Sequence, residues 1–165
     1  MKKTITLALL CFFAFTVAVS QKVHSQTDAK ASKALINDFS RSGNVNGMMY
    51  NFLLLNDKTI DAFLNGPSKN TLKAQANETT VFFISGTPPD TMTVNNQFSI
   101  VQDGQTIACE SQNIQNFGKG VVTKGQKIQG LLKVSKKLDL SHPFVIKGEH
   151  DSLEFKLTDS ALKQL

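Results

Sequence analysis

The sequence predicts a mainly β protein of the α+β class, in which an antiparallel sandwich or barrel follows an N-terminal helical segment. From Glu78 onward, short β-branched, aromatic and aliphatic runs alternate with turn residues, which is typical of antiparallel β proteins. Before that point, apolar residues recur at helical spacing. The chain has 165 residues, of which 41% are hydrophobic and 19% charged, and this is enough for one packed core. We therefore expect residues 78–165 to form the sandwich, packed with residues 32–77 as a single domain.

The first twenty residues, 1–20, are typical of a secretory signal peptide. Two lysines precede an almost entirely apolar run, residues 5–19, which is shorter than the roughly 20 residues that a membrane span needs. We expect cleavage after Ser20, with cleavage after Ser25 as the alternative, and a secreted or periplasmic bacterial protein. The mature chain would then have no transmembrane segment. Cleavage would also lower the formal charge of +5 by two and leave Cys109 as the sole thiol, so that no internal disulfide could form.

The segment ahead of the strands divides into a leader and a helical segment. Residues 21–31 are polar and indicate a flexible leader, whereas residues 32–77 indicate helices. Two interpretations of residues 45–55 remain open, because the apolar positions fit an amphipathic helix and three consecutive leucines also fit a buried strand. The next helix is clearer, since a residue of the pair Asn56-Asp57 can cap it and Gly66-Pro67 ends it.

A hairpin around Asp103-Gly104 is the best-supported local feature, because this pair favours a type I′ turn. A two-residue turn there places Ile100 opposite Ile107. The same register places Phe98 opposite Cys109 on the same face. The register that the turn demands is therefore the register that buries the apolar side chains.

Alternation of apolar and polar residues is also clear in the last part of the chain. Three runs show it: Gly125-Gln126-Lys127-Ile128-Gln129-Gly130-Leu131-Leu132, Leu138-Asp139-Leu140 and Leu153-Glu154-Phe155-Lys156-Leu157. Through these runs, residues 118–157 resemble uncharacterised bacterial exported domains of the immunoglobulin-like β-sandwich type. The resemblance covers about a quarter of the chain. It implies an immunoglobulin-like β-sandwich as the fold and a binding or structural role.

Lysines in the strand-rich half supply a candidate binding surface. Between Glu110 and Asp139 there is no acidic residue. Six lysines fall in that stretch: Lys119, Lys124, Lys127, Lys133, Lys136 and Lys137. On one face they could meet an anionic surface or another exported protein, and the alternative is a solvated surface that resists aggregation. Nucleic acid is not an expected partner, because stacking aromatic residues are missing.

Two histidines are the candidate metal ligands, His142 and His150. Glu149 and Asp151 flank His150, and imidazole and carboxylate groups are common ligands of metal ions. The spacing matches no specific metal motif, so that ordinary surface histidines are the alternative. No cofactor is expected.

No motif identifies a catalytic residue, because patterns such as G-x-S-x-G and H-E-x-x-H are missing. Gly120 and Gly125 have the spacing of a P-loop, but Gln126 stands where that motif has lysine. Cys109 is expected to be a small core side chain rather than a nucleophile. The sequence thus predicts an exported non-catalytic binding or accessory module that acts through a sheet face, an edge strand or the Lys-rich region. The alternatives are a periplasmic metal- or small-ligand-handling protein that uses His142 and His150, and thirdly an enzyme of unknown type.

Overall fold

The computed structural model describes residues 26–118 and 120–165, with side chains from residue 32 onward, so that the expected signal peptide lies outside the described residues. The helices are α1 (Gln26–Asp38), α2 (Asp57–Phe63), α3 (Ser68–Glu78) and α4 (Asp159–Leu162). The strands are β1 (Ser40–Val45), β2 (Met48–Leu54), β3 (Val81–Gly86), β4 (Met92–Thr93), β5 (Ser99–Gln102), β6 (Gln105–Gln115), β7 (Val121–Val122), β8 (Ile128–Val134), β9 (Phe144–Lys147) and β10 (Ser152–Phe155).

Eight strands form one nearly closed, barrel-like antiparallel sheet in the order β1-β2-β3-β8-β6-β5-β9-β10. The long strand β6 joins the two halves, because residues 105–108 pair with β5 and residues 109–115 pair with β8. β4 and β7 form a separate two-stranded sheet. The predicted mainly β class is confirmed. An immunoglobulin-like sandwich of two stacked sheets is not confirmed, since a single sheet curls around the core.

The two end strands of the sheet, β1 and β10, meet through Arg41, which is the one arginine in the sequence. Its guanidinium donates a hydrogen bond to the carbonyl oxygen of Lys156, just beyond β10. The same group lies 5.7 Å from the centre of the Phe155 ring, within the range of a cation–π contact. Arg41 therefore adds a polar link between two edges that also meet where Gly43 of β1 lies beside Leu153 of β10.

Residues 40–54 form a β-hairpin, so the helical interpretation of this part of segment 32–77 is wrong and the strand interpretation is confirmed. β1 pairs with β2 in antiparallel register, from Ser40 opposite Leu53 to Val45 opposite Met48. The turn residues Asn46 and Gly47 have φ of 55° and 74°, as a type I′ turn requires. The turn and the two-residue alternation of buried side chains in β2 outweigh the helical spacing of the apolar positions.

Helix α2 begins where the sequence predicts it. α2 begins after Asn56, whose Oδ1 accepts a hydrogen bond from the Thr59 N–H at 2.9 Å, and Thr59 Oγ1 accepts one from the Asn56 N–H at 2.9 Å. This capping box confirms the predicted start.

α1 begins at Gln26, inside the leader that the sequence predicts to be flexible over residues 21–31. The Ala- and Lys-rich composition of α1 explains the difference, because both residues favour helix.

α2 and α3 pack on the outer face of the sheet. The Phe63 ring of α2 lies 4.7 Å from the Phe83 ring of β3, measured between ring centres. The carboxylate of Asp61 lies 2.7 Å from the ammonium groups of both Lys69 and Lys73, which ties the two helices together. These lysines lower the pKa of Asp61 through hydrogen bonds to its carboxylate. The contact of Phe63 with Phe83 shows that α2 and α3 cover the outer face beside β3.

The hairpin of β5 and β6 is confirmed in its register. Ile100 lies opposite Ile107, and the turn residues Asp103 and Gly104 have φ of 50° and 76°. The ladder ends at Ser99 opposite Ala108, so the predicted pair of Phe98 with Cys109 is not formed, and Cys109 pairs with Val134 of β8.

Aromatic rings fill the interior of the sheet in two groups. The first group has ring centres 5.7–6.2 Å apart and contains Tyr50, Phe52, Phe98 and Phe117. The second has centres 5.0–5.8 Å apart and contains Phe82, Phe144 and Phe155. Phe117 packs directly on Gly130 of β8, where an added Cβ would lie 2.0 Å from the ring carbon Cδ1. The ring can occupy this place only because residue 130 has no side chain.

Asn46 connects three loops at one end of the sheet. Its Nδ2 donates to the carbonyl oxygens of Asn95 and Gln97, both at 3.1 Å, and its Oδ1 accepts from the Glu149 N–H at 2.6 Å. One amide side chain thereby joins the β1–β2 turn, the segment before β5 and the β9–β10 turn.

We expect Gly130→Ala to lower the free energy of unfolding by about 2–3 kcal/mol, because the added methyl group must displace the Phe117 ring. Chemical denaturation measures this. Gly118→Ala is the control, since its Cβ would approach no atom of another residue closer than 3.4 Å. Additive effects of Gly130→Ala and Phe117→Leu in a double-mutant cycle would contradict the direct contact.

We expect Asn46→Asp to destabilise the protein by about 2–3 kcal/mol, because a carboxylate oxygen would replace the amide that donates to two carbonyl oxygens. Asn44→Asp makes the same charge change two residues away, on an exposed side chain of β1. Thermal or urea unfolding of both variants tests the prediction, and equal losses would show that the charge rather than the lost donor is responsible.

Candidate functional site

The lysines of the proposed binding surface lie at both ends of β8. Lys119 lies outside the described residues. Lys124 and Lys127 precede β8, Lys133 is near its last residue, and Lys136 and Lys137 follow it. Seven residues of strand span roughly 20 Å, so the structure separates two groups of lysines.

Most of these lysines already have a polar partner. Lys124 lies 3.8 Å from Asp90, Lys136 donates to Gln105 Oε1 at 3.1 Å, and Lys137 donates to the carbonyl oxygen at the end of α3. Lys133 lies opposite Glu110 in the β6–β8 ladder. Among the described side chains, Lys124 is the one of these lysines with an ion pair, so that Lys127 resembles Lys133, Lys136 and Lys137 in having none.

The structure does not bring the two candidate metal ligands together. His142 precedes β9, where its Nδ1 lies 3.5 Å from Asp139 and 4.0 Å from Asp103. His150 follows β9 and lies 3.6 Å from Glu149. In residues 26–118 and 120–165, no group of three or more His, Cys, Asp or Glu side chains is arranged to hold a metal ion.

Hydrogen bonds from the Ser141 side chain and backbone lower the pKa of Asp139, with a smaller contribution from His142. The His142 cluster is exposed, with 59% of the imidazole side chain accessible. It is therefore a solvated surface cluster rather than a closed site.

Cys109 is half-buried against the core, whereas the sequence predicts a fully buried core side chain. Burial raises the pKa of its thiol to about 11, because the thiolate would lose its solvation. At neutral pH the group is a thiol and not the nucleophilic thiolate.

A row of polar side chains crosses the outer face of four neighbouring strands. Ser42 of β1 lies opposite Asn51 of β2, Asn51 lies opposite Ser85 of β3, and Ser85 lies opposite Gln129 of β8. In β2, β3 and β8 these residues alternate with buried inward side chains, such as Phe52 beside Asn51 and Ile84 beside Ser85. Ser42 Oγ donates to Asn51 Oδ1 at 3.2 Å. We call these four residues the polar row.

The polar row lies in a shallow open groove of about 460 Å³. Met49, Thr87 and Lys127 also line this groove, and the Met49 side chain is 53% exposed. The ten lining residues include no His, Cys, Asp or Glu. The groove therefore offers hydrogen-bond donors and acceptors and one ammonium group, without a pair for general acid–base chemistry.

The chain segments around the groove, residues 39–56, 79–89 and 111–138, have no acidic residue, and Lys127 is the one charged side chain among the residues that line it. Of these segments the sequence singles out only 111–138, and it predicts none of the four residues of the polar row as part of a site. The Asn46-Gly47 turn is the sequence feature that could have identified Ser42 and Asn51, because a hairpin there places both residues on one face of the sheet.

Comparison with known proteins gives a likeness of fold. No family model and no curated protein matches the chain. A crystal structure of a protein of unknown function from Burkholderia pseudomallei K96243 is similar, with a TM-score of 0.50 and 8% sequence identity. The match covers 84% of this chain and 88% of that one. Within the described part of the chain, the helices are too short or too polar to cross a membrane.

We expect Cys109 of the folded protein to react slowly with a thiol reagent at pH 7–8 and faster as the pH approaches 11, because only the thiolate attacks. Absorbance or mass spectrometry follows the labelling, with the protein in urea as the fully exposed control. Equal rates in the folded and unfolded protein at pH 8 would contradict the burial of this thiol.

Proposed function

We propose that this chain is an exported, non-catalytic binding or accessory module that contacts its partner through the groove around the polar row. The observation that carries the proposal is the register of the four strands, which aligns Ser42, Asn51, Ser85 and Gln129. Side chains held on paired strands keep their spacing, so little ordering is needed when a partner binds.

The packing of the core supports a site on the outside of the sheet. Aromatic rings occupy the interior, and Tyr50, Phe52 and Phe117 are at most 1% exposed. A ligand in the interior would have to displace these rings, whereas a partner at the groove meets polar groups that face solvent.

Lys127 is the residue of the Lys-rich region that belongs to the proposed site, because it lines the groove. The lysines at the far end of β8 stand near acids or donate to backbone and amide oxygens. A relationship of residues 118–157 to immunoglobulin-like domains remains a proposal, and it rests on the apolar alternation in β8 and β10. It agrees with a binding role.

We expect Asn51→Ala/Gln129→Ala to weaken binding of the mature protein to bacterial cell-envelope fractions by about ten- to a hundredfold, since two sets of hydrogen bonds are lost. The protein is taken from the periplasm of bacteria that express the full-length chain, and a mass that fits cleavage after Ser20 or Ser25 tests export. Co-sedimentation measures binding.

Lys136→Ala/Lys137→Ala is the matched comparison at the other end of β8. We expect this variant to bind as the unaltered protein does. A loss confined to it would move the site to the Lys-rich end, and unchanged binding of both variants, or no binding of the unaltered protein, would overturn the proposal.

A further inference from the structure

We propose that the groove binds an acidic glycan, a carbohydrate chain that carries carboxylate or sulfate groups. This inference rests on the proposed function and names the class of ligand for the same groove. Three features of the groove carry it: the chemistry of the polar row, the charge of the face and the absence of an open aromatic ring among the residues that line it.

The polar row matches a polyhydroxylated chain. The amides of Asn51 and Gln129 each present donor and acceptor atoms side by side, and the hydroxyl groups of Ser42 and Ser85 can do either. Four adjacent strands place the ends of the row about 14 Å apart. The groove is open rather than enclosed, so that it suits a segment of a polymer better than an isolated small molecule.

The charge of the groove favours an anionic ligand. Lys127 is the one ionisable lysine, arginine, histidine or acid among the ten lining residues. Its ammonium group has no carboxylate within ion-pair distance in the described part of the chain. A carboxylate or sulfate on the ligand would supply a charge-assisted hydrogen bond with no acidic side chain to oppose it.

The aromatic residues favour an acidic glycan over a neutral one or a nucleic acid. Sugar rings and bases are commonly held by stacking on an open aromatic face. Tyr50 is the aromatic residue that borders the groove, but it is 1% exposed and its ring packs against Phe52 and Phe98 in the interior. Burial also raises the pKa of Tyr50 to about 12, so this phenol adds no charge. Hydrogen bonds and Lys127 must therefore provide the affinity.

A membrane surface is a poorer match for the same face. Met49 is the large apolar side chain that the groove exposes, and the neighbouring side chains of the row are hydroxyl and amide groups. An anionic bilayer binds basic clusters through many lysines together. Here Lys127 stands alone among the lining residues.

The test uses the mature protein and defined ligands in isothermal titration calorimetry. The acidic chains are oligogalacturonate, oligomannuronate and a chondroitin sulfate oligosaccharide. Methyl-esterified oligogalacturonate has the same sugar backbone without its charge, and phosphatidylglycerol vesicles represent an anionic membrane. We expect at least one acidic chain to bind and its affinity to fall as salt is added.

Variants assign the binding to the groove. We expect Lys127→Gln to weaken binding of the acidic chain roughly tenfold. Asn51→Ala should weaken it as well, whereas Lys133→Gln, at the other end of the same strand, should leave it unchanged. A loss with Lys133→Gln equal to that with Lys127→Gln would overturn the assignment.

The remaining outcomes separate this inference from the proposed function. If oligogalacturonate and its methyl ester bind equally, or vesicles alone bind, the acidic glycan is wrong. The same follows if none of the three acidic chains binds. In each case, the binding function of the groove would stand if Asn51→Ala/Gln129→Ala still weakens binding to the envelope fractions. If that double variant binds the envelope as the unaltered protein does, both the acidic glycan and the proposed function are wrong.

Discussion

The contact of the Phe117 ring with the bare backbone of Gly130 is the constraint on which the rest of the structure depends. Gly130 lies in β8, the strand that pairs with β3 on one side and β6 on the other. The ring fills the space beside this central strand and packs against Tyr50 and Phe98. A nearly closed sheet could enclose a ligand cavity, but rings packed to this depth occupy the interior. The partner that we propose would therefore have to be bound at the outer face.

The outer face keeps its geometry because polar contacts hold the ends of the hairpin that builds half of it. β1 and β2 carry Ser42 and Asn51 of the polar row. Asn46, in the turn between them, bonds to two other loops, and Arg41 in β1 reaches across to β10. The two edges of the sheet are thus anchored without a complete ladder. The polar row is therefore supported from below by the aromatic core, and the hairpin that carries Ser42 and Asn51 is anchored at its turn by Asn46.

Sequence patterns predict this fold best where a local signal and burial agree. Asp103-Gly104 sets a register that also buries Ile100, and Asn56 both caps α2 and follows a buried strand. Residues 40–54 mislead because their apolar positions fit two periodicities, and only the Asn46-Gly47 turn separates them. The polar row could not be predicted, since it depends on pairing between strands far apart in sequence. The lysines show the converse, because neighbours in sequence lie at opposite ends of β8.

Charge on the outer face is a property of neighbouring strands and not of one stretch of sequence. Lys133 lies in the acid-free stretch, yet the acidic residue Glu110 of the adjacent strand lies opposite it in the ladder. The segments that form β2 and β3 also have no acidic residue, so that nothing in them offsets the positive charge of Lys127. One exposed ammonium in water attracts an anion weakly over distance, since screening at physiological salt acts within about 8 Å. In the binding that we propose, affinity at this face would therefore come mainly from hydrogen bonds made at contact, and charge would select among ligands of similar shape.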